Sequence, residues 1–186
     1  MNVIANNLFP LNPLEVAKKR VSEMRASIPG FNANTPIFLN NDFQEWSQSH
    51  GMGLPFDVDG YENGIMDLLK VVNTTSYPKE LTRKDCTTCV VVGSAGILAG
   101  SKKGPEIDSH DVVIRVNGGP TRCFEGDVGS RTTMRISYPE SAPQSPGEYD
   151  PESLFVMLPF KDKDLEWLDR VATRKPVVSY NKYYYM

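Results

Sequence analysis

Two strand ends carry the residues of this 186-residue chain best placed to do chemistry. The first is the turn Gly93-Ser-Ala-Gly96, which follows the apolar run Cys89-Val-Val-Val92; the second is Asn117, which closes the run Val112-Val-Ile-Arg-Val116. In open α/β sheets, ligands bind beyond the carboxyl ends of the strands, where backbone N–H groups point outward. Gly93 and Gly96 let the backbone approach a phosphate, and Ser94 adds a hydroxyl; with Ala95 they form one candidate binding turn. The Asn117 amide both donates and accepts, although an Asn before Gly118-Gly119-Pro120 also reads as a plain turn former. Glycines at 93, 96 and 100 do not make the G-x-G-x-x-G pattern, and no acidic residue is placed to hold a ribose. The turn therefore does not suit NAD.

Other reactive residues divide by their surroundings. Arg115, Arg131 and Arg135 read either as clamps for phosphate or carboxylate, or as partners of Asp108, Asp111, Glu125 and Asp127 in buried ion pairs. Asp57-Val-Asp59 and Asp162-Lys-Asp164 match a minimal Asp-x-Asp metal pattern, yet neither follows an apolar strand. The first also fails as a calcium loop, because its twelfth position is Leu68. No metal is expected. Cys86-Thr-Thr-Cys89 has CxxC spacing, but structural zinc takes four ligands and only Cys123, His50 and His110 remain. A redox pair would sit at a helix start, whereas Cys89 leads into a strand.

Composition narrows the class further. A net charge of −3 and a pI near 5.4 leave no basic surface for nucleic acid. Lys18-Lys19-Arg20 reads as the solvated face of a helix. No window approaches the ~18 consecutive apolar residues of a membrane span, and the first ten residues lack the basic start and apolar core of a secretory signal.

The elements that position these residues follow from periodicity. Pro13 with apolar residues at 14, 17, 21 and 24 predicts a first helix, ended by Gly30. A short helix is expected around Asp42–Ser47, and an amphipathic one over Tyr61–Val72 with Ile65, Leu68, Leu69 and Val72 on one face. The runs 89–92, 112–116 and 154–158 lack alternation, as strands buried on both faces of a parallel sheet do. Asp164–Val171 repeats helically with Leu165, Leu168 and Val171. Strands alternating with helices predict an α/β fold in one domain.

Between Cys86 and Glu140 the pieces stand in a long, ordered pattern. Cys89, Gly93-Ser-Ala-Gly96, Asp111–Asn117, Pro120, Asp127-Val-Gly-Ser-Arg-Thr-Thr133 and Tyr138-Pro-Glu140 follow one another. This resembles the long sialyl motif of the animal sialyltransferases, glycosyltransferase family 29, which move sialic acid from CMP-sialic acid onto a sugar acceptor. Pro36-Ile-Phe-Leu39, Leu54-Pro-Phe56 and Leu154-Phe-Val156 with Phe160-Lys161 are similar to the β-galactoside α-2,3 branch.

The resemblance implies a Rossmann-like sheet of the GT-A variant kind, incomplete beyond Met186, with residues 1–34 as a stem-like segment and 35–186 as part of the catalytic domain. It implies the donor nucleotide at Gly93, Ser94, Ala95, Gly96 and Asn117, a galactose-terminated glycan as acceptor, and no cofactor beside the co-substrate. Ser94 departs from the family, which carries an asparagine there, and Cys123 stands where the family has a glycine. Cys86 and Cys89 would form disulfides to distant partners, and the counterpart of His110 is structural. The catalytic histidine would lie in the carboxyl-terminal half, so none is expected in this chain. A Golgi lumenal location, through an anchor outside this chain, would make the sequon at Asn73 a glycosylation site. The alternative is a short form that binds nucleotide or a partner subunit without catalysis.

Overall fold

A computed structural model describes residues 13–27, 38, 62–72, 77–82 and 87–176. Expectations at Asp42–Ser47, His50, Asp57, Asp59, Asn73 and Cys86 lie outside these residues. The chain divides into a unit of Met1–Met52 and a unit of Gly53–Met186. In the first, α1 spans Pro13–Ser27, with Glu15 and Lys18 paired across one turn at 3.1 Å. Its Val21 and Met24 are exposed.

In the second unit α2 (Glu62–Val71) buries Ile65 and Leu68, spaced three apart on one face, and packs against the last helix, α6 (Asp162–Ala172). A four-residue helix, α3, covers Lys79–Thr82. Then come four parallel strands, β1 (Cys89–Val92), β2 (Val112–Val116), β3 (Met134–Ser137) and β4 (Leu154–Met157), lying side by side in sequence order. Val91 pairs with Ile114, Ile114 with Met134, and Met134 with Leu154. The crossovers carry α4 (Gly104–Asp108) between β1 and β2, and α5 (Glu125–Val128) between β2 and β3.

The core forms where these crossovers return onto the sheet. Val92, Ile107 and Val113 pack together, joined by Val90 and Leu98. Val113 is wholly buried, which stabilises the fold by about 1.5–3 kcal/mol relative to exposure. Helices α4 and α5 approach closely at Gly104, where any side chain would run into the Glu125 carbonyl. Only glycine fits there.

Two features differ from the sequence reading. Neither outer strand is buried on both faces: Val91 of β1 is 66% exposed, and β4 is only half-buried along its length, because β1 and β4 are the two edges of the described sheet. Strand β3 is the second difference, since no apolar run marks it. Its run Met134-Arg-Ile-Ser137 has a charge at its second position, which hides the pattern, yet Arg135 is buried inside the sheet.

Candidate functional site

The two candidate turns meet at the carboxyl edge of the sheet. Gly93, Ser94, Ala95 and Gly96 follow β1 and line an open concavity of about 160 Å³, mostly apolar, with Gly119 and Pro120 across from them. A side chain at Gly119 would stand 3.2 Å from the Ser94 Cα and Cβ, so the turns after β1 and β2 touch. At Gly93 and Gly96 an added Cβ would meet nothing within 4 Å. Those glycines face open space, which is where a ligand would approach.

Asn117 stands beside this concavity and does not line it. Its backbone is left-handed, φ 61°, a conformation that asparagine tolerates better than most residues. Its side chain turns toward the loop after β3, where the Ser141 hydroxyl donates to Asn117 Oδ1 at 2.7 Å. The main chain is held from another side: Arg135 Nη1 donates to the Asn117 carbonyl at 2.6 Å and to the Gly119 carbonyl at 3.3 Å. Sequence reasoning placed neither Arg135 nor Ser141 behind Asn117. Their only sequence signal was position, at a strand that went unread and in the turn closing the motif.

The three arginines are buttresses in the main chain's hydrogen-bond network. Arg115 donates to the carbonyls of Val128 and Arg131 and to the Thr132 hydroxyl. Arg131 donates to the carbonyls of Asp108, His110 and Asp111. The expected acidic partners are spent on backbone N–H groups instead: Asp108 on Ser130 and Arg131, Asp127 on Gly100 and Lys102. So the loop after β1 is tied to α5, and α4 is tied to the start of β3. Carbonyls and N–H groups at loop ends must find partners once buried, and here charged side chains supply them.

Asp108 shows the sign of this arrangement. Burial pushes its pKa up, but the Ser130 and Arg131 N–H groups and the Ser130 hydroxyl outweigh it and hold the carboxyl below the ordinary 3.8. A lowered folded pKa adds stability above the unfolded value, and that stability is lost as pH falls through the folded value. Asp108→Asn should therefore destabilise the protein by about 1 kcal/mol at pH 7, with the difference shrinking in acid below 3.8. Urea unfolding at pH 7 and pH 3 measures both; an equal deficit at the two would refute the role of the charge.

The remaining candidates have ordinary tasks. His110 Nδ1 lies 2.9 Å from the Glu106 carbonyl, so its N–H closes the end of α4. Asp164, wholly buried, accepts from the Phe160 and Lys161 N–H groups and caps α6, leaving the Asp162-Lys-Asp164 pair without a free inner carboxylate. Cys89 and Cys123 are exposed free thiols. Among the described residues no helix is long and apolar enough to cross a membrane.

Residues 32–186 match the profile of glycosyltransferase family 29 (sialyltransferase). The chain belongs to this family. Among its members, mouse CMP-N-acetylneuraminate-beta-1,4-galactoside alpha-2,3-sialyltransferase is 39% identical over 154 residues, 83% of this chain and 41% of the relative. Human CMP-N-acetylneuraminate-beta-galactosamide-alpha-2,3-sialyltransferase 4 is 37% identical over 147 residues, 78% of this chain and 44% of the relative. The crystal structure of a mammalian sialyltransferase superposes with TM-score 0.53 at 35% identity, covering 77% of this chain and 50% of that one. The chain thus spans about half the length of the sialyltransferases it matches or less.

Proposed function

We propose that this chain carries the nucleotide-binding part of a CMP-sialic acid-dependent α-2,3-sialyltransferase acting on galactose-terminated glycans. The observation that supports it is the meeting of the Gly93–Gly96 turn with Gly119, two residues after Asn117, at the carboxyl edge of a parallel sheet in a member of family 29. Backbone N–H groups and hydroxyls at such an edge stabilise the monophosphate that leaves as the sialyl group transfers. The transfer proceeds with inversion and without a metal, because a monophosphate develops less charge than a diphosphate; chelators should leave turnover unchanged. The acceptor hydroxyl's proton goes to a base.

We take His110 as structural and not as that base: its Nδ1–H closes the end of α4, and the residue does not line the concavity beside Gly93–Gly96. His110→Asn, which can still donate to that carbonyl, should keep the transfer rate and the shape of its pH profile. Losing a general base costs about 10²–10⁴-fold, so a drop of that size would place His110 in the reaction.

The protein is lumenal in the Golgi, with Cys89 and Cys86 in disulfides and Asn73 glycosylated. Cys89 is exposed and unpaired within the described residues, available to a distant thiol. The deciding experiment uses the longest natural protein carrying this sequence. CMP should inhibit its sialyl transfer to a galactoside, and UMP and AMP should not. Transfer without that preference would discard the nucleotide assignment, and CMP binding with no transfer would leave a binding protein.

A further inference from the structure

We infer that Ser141 is a positioning residue, which sets the face that the Asn117 amide shows to the nucleotide. The inference rests on the reading of Asn117 as a contact to the donor nucleotide. Ser141 Oγ donates to Asn117 Oδ1 at 2.7 Å, and Oδ1 can only accept. In this arrangement the amide oxygen faces Ser141 and its Nδ2 is left over. Among the described residues Nδ2 has no hydrogen-bond partner. It is a two-proton donor held ready beside the concavity.

Ser141 is itself held. Ser137 Oγ lies 3.0 Å from Ser141 Oγ. Both hydroxyls also lie 3.2 Å from the Tyr138 carbonyl, so with Ser141's proton given to Asn117, Ser137 donates to Ser141 or to that carbonyl. Ser137 is buried at 1% exposure on β3, so the chain of hydroxyls starts on a rigid strand. The main chain is equally close: a side chain at Gly118 would stand 3.0 Å from the Ser141 carbonyl. The turn Tyr138–Ser141 is thus a platform under Asn117, and Arg135 fixes the carbonyls of the same loop. A freely rotating amide presents oxygen or nitrogen about equally, and oxygen would repel a phosphate or a base carbonyl. A fixed one binds such acceptors without that loss.

Three variants of the longest natural protein test this: Ser141→Ala, Asn117→Gly and the two together. Glycine accepts the left-handed backbone at 117, so it removes the amide without straining the turn. Asn117→Gly should raise the KM for CMP-sialic acid about tenfold, and Ser141→Ala about fivefold. The kcat should hold in both, and the CMP inhibition constant should move with KM. The double variant should match Asn117→Gly alone, because Ser141 acts only through the amide. Ser141→Thr, which keeps the hydroxyl, should restore most of the affinity. Loss that a folding defect alone causes would lower kcat through the active fraction and leave KM in place. Multiplying effects in the double variant, or an unchanged KM in Ser141→Ala with a raised one in Asn117→Gly, would overturn the inference. An unchanged KM in Asn117→Gly would overturn the reading beneath it.

Discussion

Asn117→Asp in the longest natural protein carrying this sequence is expected to lower kcat/KM for CMP-sialic acid by about 10- to 150-fold. The change is nearly isosteric, aspartate tolerates the left-handed φ of 61°, and an oxygen remains to accept from Ser141. What disappears is the N–H pair left without a protein partner, and what replaces it is a negative oxygen, which repels an anionic ligand. A hydrogen bond to a charged group is worth about 1.5–3 kcal/mol, which sets the range quoted. The loss should fall on donor saturation, with acceptor KM unmoved. Steady-state kinetics with each substrate varied in turn give the answer. Donor kinetics like those of the wild type would remove Asn117 from the site.

The second large effect is on stability. Arg135→Leu should cost about 2–4 kcal/mol, seen as a lower urea midpoint at pH 7. Arg135 is 2% exposed, and its Nη1 serves the carbonyls of Asn117 and Gly119. Leucine fills part of the volume but leaves those two half-buried acceptors without their donor, at about 1–3 kcal/mol for each group to the extent that water does not reach it. One term works in the other direction. Arg135 Nη2 is buried with no partner, so the native protein already carries an unsatisfied donor that leucine removes. Burial also lowers the pKa of this guanidinium, with Glu148 and Tyr149 opposing. The orphaned carbonyls outnumber the relieved nitrogen, so destabilisation wins. A midpoint equal to the wild type's would mean that water replaces the guanidinium at no cost.

Both effects pass through β3, the strand that sequence reading did not find. The strands β1, β2 and β4 are legible as short Val/Ile/Leu/Phe runs, since strands of a parallel sheet carry no polar alternation, although only β2 of the three is largely buried. Helix α6 is legible from its apolar spacing, and its first turn begins two residues before the predicted start because Asp164 caps from inside. β3 is not legible, since Arg135 at its centre is polar by type and buried by context. Only neighbours that need two hydrogen-bond donors make arginine acceptable there.

The same physics separates what sequence and tertiary structure each decided about the site. Residue type and spacing alone set the glycine turn after β1, the asparagine after β2, the alternation of strands and helices, and the membership in family 29 that the comparisons then established. These are local matters: a turn's conformational needs and a strand's burial are written in a few consecutive residues. Tertiary structure decided which turns touch, that Gly119 must be bare against Ser94, and that the acids grip backbone N–H groups. It also decided that Ser141, 24 residues away in sequence, orients Asn117. Partners that distant share no sequence pattern. They meet because parallel strands bring every carboxyl end to the same edge of the sheet.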